Sequence, residues 1–209
     1  MQKWNVELVF TTDLLGGSPK NKEVYAAFIG SKIAKRQNPI DGGFEAEVQT
    51  VQEVEEKGWT GFHSDEQGIF LYDYQIKGFL KEAANTLKEG LKEKNLRSKV
   101  DSYVFVEQRK IRVNRSATSL ETLLEPDGIL ERPLRCMTMQ GPRVSLQRSD
   151  MIRAGRAISF TILALDVTPM KDLDSMLVHI LDYGALKGLL QWRNGGYGRF
   201  SYTIKKVHA

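Results

Sequence analysis

Apolar side chains alternate with polar ones in residues 4–10 and again in residues 200–207. This period-two pattern is typical of half-buried strands. Between them, residues 75–94 and 172–183 carry apolar side chains at three- and four-residue spacing, which indicates amphipathic helices. Residues 157–165 are mostly apolar and predict another strand. The fold must therefore bring strands from both ends of the chain together around two helices.

Residues 102–106 supply one more strand, and residues 110–113 a further short one. When residues 13–73 and 107–156 are set aside as insertions, the order becomes strand, helix, strand, strand, helix, strand. That order is typical of the ferredoxin-like fold. The sequence therefore predicts an α+β, ferredoxin-like (RRM-like) antiparallel sheet with two helices on one face. Without a repeat or a linker, we expect a single domain over residues 1–209 that contains both large insertions.

The insertions contain few clear elements. Residues 22–35 resemble a helix and residues 69–72 a strand, whereas residues 44–57 are acidic and residues 114–155 show no regular period. We expect the acidic stretch to be a solvated face, and residues 114–155 to be irregular.

Composition excludes several classes of protein. The 209 residues are 41% hydrophobic, which is enough for a core without disulfides. The only cysteine is Cys136, so the structural zinc sites that need two or more cysteines cannot form. No signal peptide, membrane-length apolar run or nucleotide-binding fingerprint is present. We expect a cytoplasmic protein without a cofactor, a metal site or a membrane partner.

Basic residues are concentrated in two segments, although the net charge is only +4. Residues 132–156 contain six arginines and one acidic residue, and residues 184–206 contain five basic residues and no acidic one. Guanidinium groups suit phosphate geometry, and the second segment adds rings such as Trp192 and Tyr197. Charge interleaved with stacking surfaces is typical of proteins that bind single-stranded nucleic acid.

A glycine-rich stretch, GLLQWRNGGYGRF, joins the second helix to the last strand at residues 188–200. Gly195, Gly196 and Gly198 permit positive φ, and successive amides in such a loop can bind an anion. No Gly-Lys-Ser/Thr follows a strand, so this is not a Walker A loop. Here residues 188–199 are called the Gly loop.

This loop resembles the C-terminal glycine-rich loop of the RAMP superfamily, RNA-binding proteins of CRISPR systems. Three further segments resemble the family in the expected order: residues 10–17 (FTTDLLGG), 74–84 (YQIKGFLKEAA) and 153–160 (RAGRAISF). Leu190 stands where the family usually has a second early glycine. The resemblance is therefore to a divergent member, or to a relative encoded by a phage or mobile element.

The resemblance implies RNA or single-stranded DNA held along the sheet, the Gly loop and an inserted thumb. It also implies self-association into a head-to-tail filament or a multi-subunit complex. We expect the nucleic-acid contacts to come from the basic and loop residues Lys77, Lys81, Arg109, Arg112, Arg132, Arg135, Arg143, Arg148, Trp192, Arg193, Gly195, Gly196, Tyr197, Gly198 and Arg199.

The sequence favours a non-catalytic binding protein, but two alternatives stay open. The first is an RNA endonuclease that uses His63 as general acid or base, with Tyr72, Tyr74 and Lys77 nearby. A metal-dependent version would use Asp127 or Glu131. The second is an inhibitor or mimic that docks on a nucleic-acid-binding complex through the acidic residues 44–57.

Overall fold

The structure is a computed structural model that describes residues 1–20, 59–114, 124–138, 141–170 and 172–207. The predicted helix at 22–35 and the acidic segment 44–57 lie outside the described residues. The α-helices are α1 (Asp73–Leu87), α2 (Leu96–Tyr103) and α3 (Leu173–Lys187). The strands are β1 (Gln2–Phe10), β2 (Leu14–Leu15), β3 (Ser18–Pro19), β4 (Thr60–Gly61), β5 (His63–Asp65), β6 (Gly68–Tyr72), β7 (Val104–Val106), β8 (Lys110–Asn114), β9 (Gly128–Thr138), β10 (Gly141–Ile152), β11 (Ala157–Ala164) and β12 (Phe200–Val207).

The main sheet has the strand order β12-β1-β11-β8-β6-β5, and β7 also pairs with β11. Every pair in this sheet is antiparallel. The fold is therefore α+β with a central antiparallel sheet. Within the described residues, no helix is both long and apolar enough to cross a bilayer.

The apolar core lies on one face of the main sheet. In β1, Trp4, Val6, Leu8 and Phe10 are buried, while the residues between them point to the other face. The register pairs Leu8 with Ile158 of β11, so buried residues of neighbouring strands share a face. Alternation along the sequence thus becomes a continuous apolar surface across the sheet.

Helices α1 and α3 cover that apolar face. The Phe79 ring of α1 contacts Phe200 of β12 edge-on, with 6.1 Å between the centroids. The indole Nε1 of Trp4 donates a 2.6 Å hydrogen bond to Asp174 of α3. Both predicted helices therefore lie on one face of the sheet. The shorter α2 packs against α1 beside β7.

The contact between α1 and α3 depends on Gly184. A Cβ at Gly184 would lie 2.3 Å from the Phe79 ring and 2.6 Å from the Phe200 ring. We expect Gly184→Ala to lower the free energy of unfolding by about 1–3 kcal/mol, the usual cost of overpacking a core. Gly78→Ala is the matched control because a Cβ there meets nothing within 4 Å. This control should gain up to about 1 kcal/mol from helix propensity, and both values follow from urea denaturation. Equal stability of the two variants would contradict this packing.

A second, smaller sheet forms from parts of the two predicted insertions. Its order is β2-β10-β4-β3, and β9 pairs with β10 along an antiparallel hairpin. Gly128 pairs with Met151 at the base, and Thr138 pairs with Gly141 near the tip. Segments far apart in sequence therefore meet on the long strand β10.

Asp150 fixes this small sheet. Its buried carboxylate accepts hydrogen bonds from Lys20 Nζ at 3.0 Å and from Trp59 Nε1 at 2.9 Å. The single acidic residue of the arginine-rich segment 132–156 is thus occupied inside the protein, where it balances one lysine.

Three details differ from the sequence prediction. Helix α1 ends at Leu87 rather than near residue 94, since Lys92 and Asn95 adopt positive φ in the turn that follows. Residues 102–103 belong to α2, which the period-two prediction missed, and the strand starts at Val104. Residues 128–138 and 141–152 form the two strands of the β9–β10 hairpin rather than irregular chain. Exposed Ile129 and Val144 break the apolar alternation that would have revealed it.

Candidate nucleic-acid interface

The Gly loop closes at a narrow neck formed by Gly188 and Gly198. Both have positive φ, 89° and 71°. A Cβ at Gly188 would lie 2.2 Å from Tyr197 O, and one at Gly198 would lie 2.2 Å from Leu189 O. Leu189 N donates to Gly198 O at 2.9 Å. Only residues without a side chain allow the two backbone segments to approach this closely.

The neck is anchored to the turn that follows β1. Gly198 N donates to Asp13 O at 2.8 Å, and Arg199 N donates to Thr12 Oγ1 at 2.9 Å. The Asp13 carboxylate accepts from Ala154 N at 2.9 Å. The turn therefore brings Arg153 and Arg199 to the same end of the main sheet. Both arginine side chains are exposed and have no ion-pair partner among the described carboxylates.

The other side of the Gly loop contacts the small sheet. Gln191 Oε1 accepts hydrogen bonds from Thr60 Oγ1 at 2.8 Å and from Ser149 Oγ at 3.2 Å. Ser149 lies on β10, so this polar cluster holds the loop against the hairpin. Sequence reasoning missed Gln191, Thr60 and Ser149 because nothing in their local sequence shows that they meet.

Arg132 of β9 projects from the hairpin onto the Gly loop. Its guanidinium carbon lies 4.4 Å from the centroid of the Trp192 ring. Trp192 in turn stacks on Tyr197, with 5.1 Å between centroids and a 12° interplanar angle. A Cβ at Gly195 would lie 3.0 Å from the indole, so a glycine there leaves room for the ring. Three predicted site residues, Arg132, Trp192 and Tyr197, are thus brought together.

The Arg132 guanidinium is unusual in its burial. Only 5% of the residue is exposed, and Nε and Nη1 have no hydrogen-bond partner within the described part of the chain. Desolvation lowers the pKa of this guanidinium below its ordinary value, and it stays charged because arginine is so basic. A buried cation with free donors provides an electrostatic attraction for an anion.

Other predicted contacts are engaged by carboxylates. The ion pairs are Lys81–Asp101 at 2.9 Å, Arg109–Asp73 at 2.6 Å, Arg112–Asp65, Arg148–Glu131 at 2.6 Å and Arg193–Glu82 at 2.9 Å. Pairing lowers the net positive charge that these side chains offer to a phosphate. Their role in binding nucleic acid stays a prediction.

The Lys77 ammonium is bound by backbone carbonyls rather than by a carboxylate. It donates to the carbonyls of Val100, Asp101 and Val104, where α2 ends and β7 begins. Desolvation is the main cause that lowers the pKa of Lys77 below its ordinary value. This lysine joins α1 to α2, which is a structural task.

Arg109 and Arg112 contact side chains of β5, β6 and α1. They flank the aromatic side chains of β6, with Arg112 5.2 Å from the Phe70 ring and Arg109 5.2 Å from the Tyr72 ring. The two salt-bridge hydrogen bonds from Arg112 and Lys110 hold the pKa of Asp65 well below its usual range. The side chains of Arg135 and Arg143 lie outside the described part of the structure.

A groove of about 410 Å³ separates the first turns of α1 from the Gly loop. Gly17 and Gly78 line it without side chains, and Gln75 and Arg193 line it with polar ones. The resemblance implied that the start of α1 and the Gly loop share a binding surface, and the groove lies between them.

His63 packs beside Tyr72, as the nuclease alternative requires. The two rings meet edge-on with 4.8 Å between centroids, and His63 Nε2 lies 2.8 Å from Ser18 Oγ. The Lys77 ammonium is bound to backbone carbonyls instead of being offered to this histidine. Asp127 accepts from Arg153 N, and Glu131 pairs with Arg148, so neither carboxylate is free. Among the described residues, no three potential metal-ligating side chains cluster.

Partial burial lowers the pKa of His63 below its ordinary value of about 6.5. The unfolded chain therefore binds the proton more readily, so this group stabilises the fold above pH 6.5 and loses that contribution as the pH falls through the folded pKa. We expect the free energy of unfolding to fall between pH 7 and pH 5, and to fall less in His63→Gln. Urea denaturation at a series of pH values measures how steeply the free energy of unfolding changes with pH in each protein. Identical slopes for the wild type and His63→Gln would contradict a lowered pKa of His63.

Comparisons with known proteins give limited matches. No family model matches the chain, and no curated protein matches its sequence. Among solved structures, a chain described as "Type IV-B CRISPR Complex" aligns over 97% of this chain and 90% of its own length. The TM-score is 0.47 and the sequence identity is 9%. A likeness at this identity assigns no residue a role.

Proposed function

We propose that this chain is a non-catalytic protein that binds RNA or single-stranded DNA at the Gly loop and the adjoining β9–β10 hairpin. The observation that carries the proposal is the meeting of Arg132 with Trp192 and Tyr197, which come from segments far apart in sequence. Arginine beside stacked rings is a combination suited to phosphates and bases. Exposed Arg153 and Arg199 extend the positive charge along the loop.

The proposal extends to the fold. The order β12-β1-β11-β7, with α1 and α3 on one face, supports a ferredoxin-like core. The small sheet and strands β5, β6 and β8 would then be additions from the two insertions to a single domain. The resemblance of the Gly loop and residues 10–17 to the RAMP superfamily supports the same assignment. Head-to-tail association along one nucleic-acid strand is part of this proposal, and light scattering with oligonucleotides of increasing length measures it.

Salt dependence tests the binding. We expect the affinity for a fluorescein-labelled 20-nucleotide oligouridine to fall steeply between 50 and 200 mM salt, because phosphate neutralisation releases counterions. Fluorescence anisotropy measures it, and oligothymidine of the same length compares DNA with RNA. Absence of salt-dependent binding to either oligonucleotide would refute the proposal.

Arg199→Ala removes one exposed cation of the Gly loop. We expect about fivefold weaker binding and a salt slope that is smaller by about 0.7, the value for one phosphate contact on a single strand. Arg193→Ala should have a smaller effect, since Glu82 already pairs with Arg193. Lys94→Ala is the charge-matched control because this exposed lysine follows the far end of α1. Equal losses in the Arg199 and Lys94 variants would show that only net charge matters.

A further inference from the structure

In the free protein, the burial of Arg132 has a desolvation cost that its contacts do not offset. Only 5% of the Arg132 residue is exposed, and its buried Nε and Nη1 atoms have no hydrogen-bond partner among the described residues. A buried unpaired donor loses its hydration without replacement, and an unpaired buried charge loses more. The indole face of Trp192 attracts the cation, but it offers no acceptor in the plane of the guanidinium. The free donors therefore point to an anion that is absent in the unbound state.

The Trp192 ring lies over the Arg132 guanidinium and is called the cover here. It can move without disturbing the apolar core. Trp192 is 37% exposed and does not belong to the apolar core cluster. Its described ring contacts are Arg132 of the hairpin and Tyr197 of the Gly loop itself. Leu190 and Trp192 have φ of 64° and 49°, a left-handed conformation that is unfavourable for a residue with a side chain. The covered arrangement is thus strained.

We infer that Arg132 is a covered phosphate-binding residue, and that nucleic acid displaces Trp192 so that the donors left free on the guanidinium reach oxygens of the phosphate backbone. This inference rests on the proposed function and names the group that the buried cation binds. A planar guanidinium also suits the carboxylates of an acidic peptide. The phosphodiester is favoured because Arg153 and Arg199, both exposed and without an ion-pair partner among the described carboxylates, lie at the anchor of the Gly loop and add charges that a repeating anion can contact.

Fluorine NMR of protein labelled with 5-fluorotryptophan reports on the cover directly. The chain has three tryptophans, and Trp192→Phe identifies the Trp192 resonance. Adding 20-nucleotide oligouridine should shift that resonance and increase its broadening by a soluble gadolinium chelate. The resonances of Trp4, bonded to Asp174, and of Trp59, bonded to Asp150, should stay in place. Polyglutamate of equal charge should leave all three unchanged.

Removing the cover gives an independent measurement. Trp192→Ala should bind inorganic polyphosphate, which has no bases to stack, about fivefold more tightly than the wild type. Adding Arg132→Gln should abolish that gain. An affinity of Trp192→Ala no higher than that of the wild type overturns the inference.

The outcomes separate this inference from the proposed function. If oligouridine binds by anisotropy while the Trp192 resonance keeps its position and its protection, the covered site is wrong and the binding function stands. If no oligonucleotide binds, both are wrong. If polyglutamate moves the Trp192 resonance and oligouridine does not, the site belongs to an acidic protein partner, which also overturns the inference.

Discussion

Arg132→Met is expected to make the free protein more stable and to weaken its binding of single-stranded RNA at least tenfold. Methionine keeps an apolar chain against Trp192 and removes a buried charge that lacks partners for Nε and Nη1. Replacing a buried charge with an apolar residue of similar volume often stabilises a protein, and we expect about 1–2 kcal/mol. Losing a buried charge from an interface costs about 2 kcal/mol or more, and 1.4 kcal/mol corresponds to a factor of ten in affinity.

The two expected effects of Arg132→Met have opposite signs, because stability rises while affinity falls, and this distinguishes a binding residue from a structural one. Urea denaturation measures stability, and anisotropy with labelled oligouridine measures affinity. Replacing a residue that only stabilises the fold would lower both the stability and the affinity. A variant that is less stable than the wild type and binds equally well would therefore contradict the role assigned to Arg132.

Arg148→Met is the matched control from the same hairpin. Gln147 pairs with Arg132 in the register and Glu131 pairs with Arg148, so the two arginines point to opposite faces of the hairpin. Arg148 Nε is also buried without a hydrogen bond, but it lies 2.6 Å from Glu131 Oε1, so the charge of Arg148 is balanced by an ion pair that Arg132 lacks. Replacing Arg148 removes the same charge, but we expect a change in stability below about 1 kcal/mol, as for other exposed pairs. Affinity should fall far less than in the Arg132 variant.

Gly198→Ala is expected to open the neck of the Gly loop. A Cβ there would lie 2.2 Å from Leu189 O, and the backbone has φ of 71°. The left-handed conformation costs alanine about 1–2 kcal/mol, and the clash is with backbone, which cannot turn aside. We expect a loss of about 3 kcal/mol in the free energy of unfolding, at the upper end for single substitutions. Oligouridine binding should fall at least tenfold because Arg199, whose backbone is anchored beside Gly198, then loses its fixed position.

Substitutions at Gly196 and Gly17 separate the cost of the backbone conformation from the cost of the clash at Gly198. At Gly196 φ is 85°, but the nearest atoms to an added Cβ are those of the Arg199 guanidinium at 3.9 Å. Gly196→Ala should therefore show only the cost of the backbone, about 1–2 kcal/mol. Gly17→Ala, where a Cβ meets nothing within 4 Å, should change stability by less than about 0.5 kcal/mol. The same loss in all three variants would refute the geometry of the neck.

Patterns of short range predicted the scaffold well. Strands β1, β11 and β12 and helices α1 and α3 appear where their hydrophobic periods placed them, apart from the earlier end of α1, because each buries one face against the same core. Helix α2 was missed although Leu96 and Val100 have helical spacing, since eight residues give too few turns for a clear period. The β9–β10 hairpin was missed because its strands satisfy each other's backbone and leave apolar side chains exposed.

The residues of the candidate site were also predicted only in part from the sequence. Composition located the arginines and the Gly loop, but it could not tell which arginines meet a carboxylate. Arg193 pairs with Glu82 on a different helix, whereas Arg132 lies on Trp192 with two donors free. These partners are separated by long stretches of chain, so no local pattern records them.

By itself, then, the amino-acid sequence determined strands β1, β11 and β12, helices α1 and α3 and the position of the Gly loop, because each depends on neighbours within a few residues. Only the tertiary structure decided which of the described cations pair with a carboxylate and left Arg132 buried with two donors unpartnered. Charge pairing and desolvation depend on distances through space, and those distances are set when the two sheets and the helices pack together.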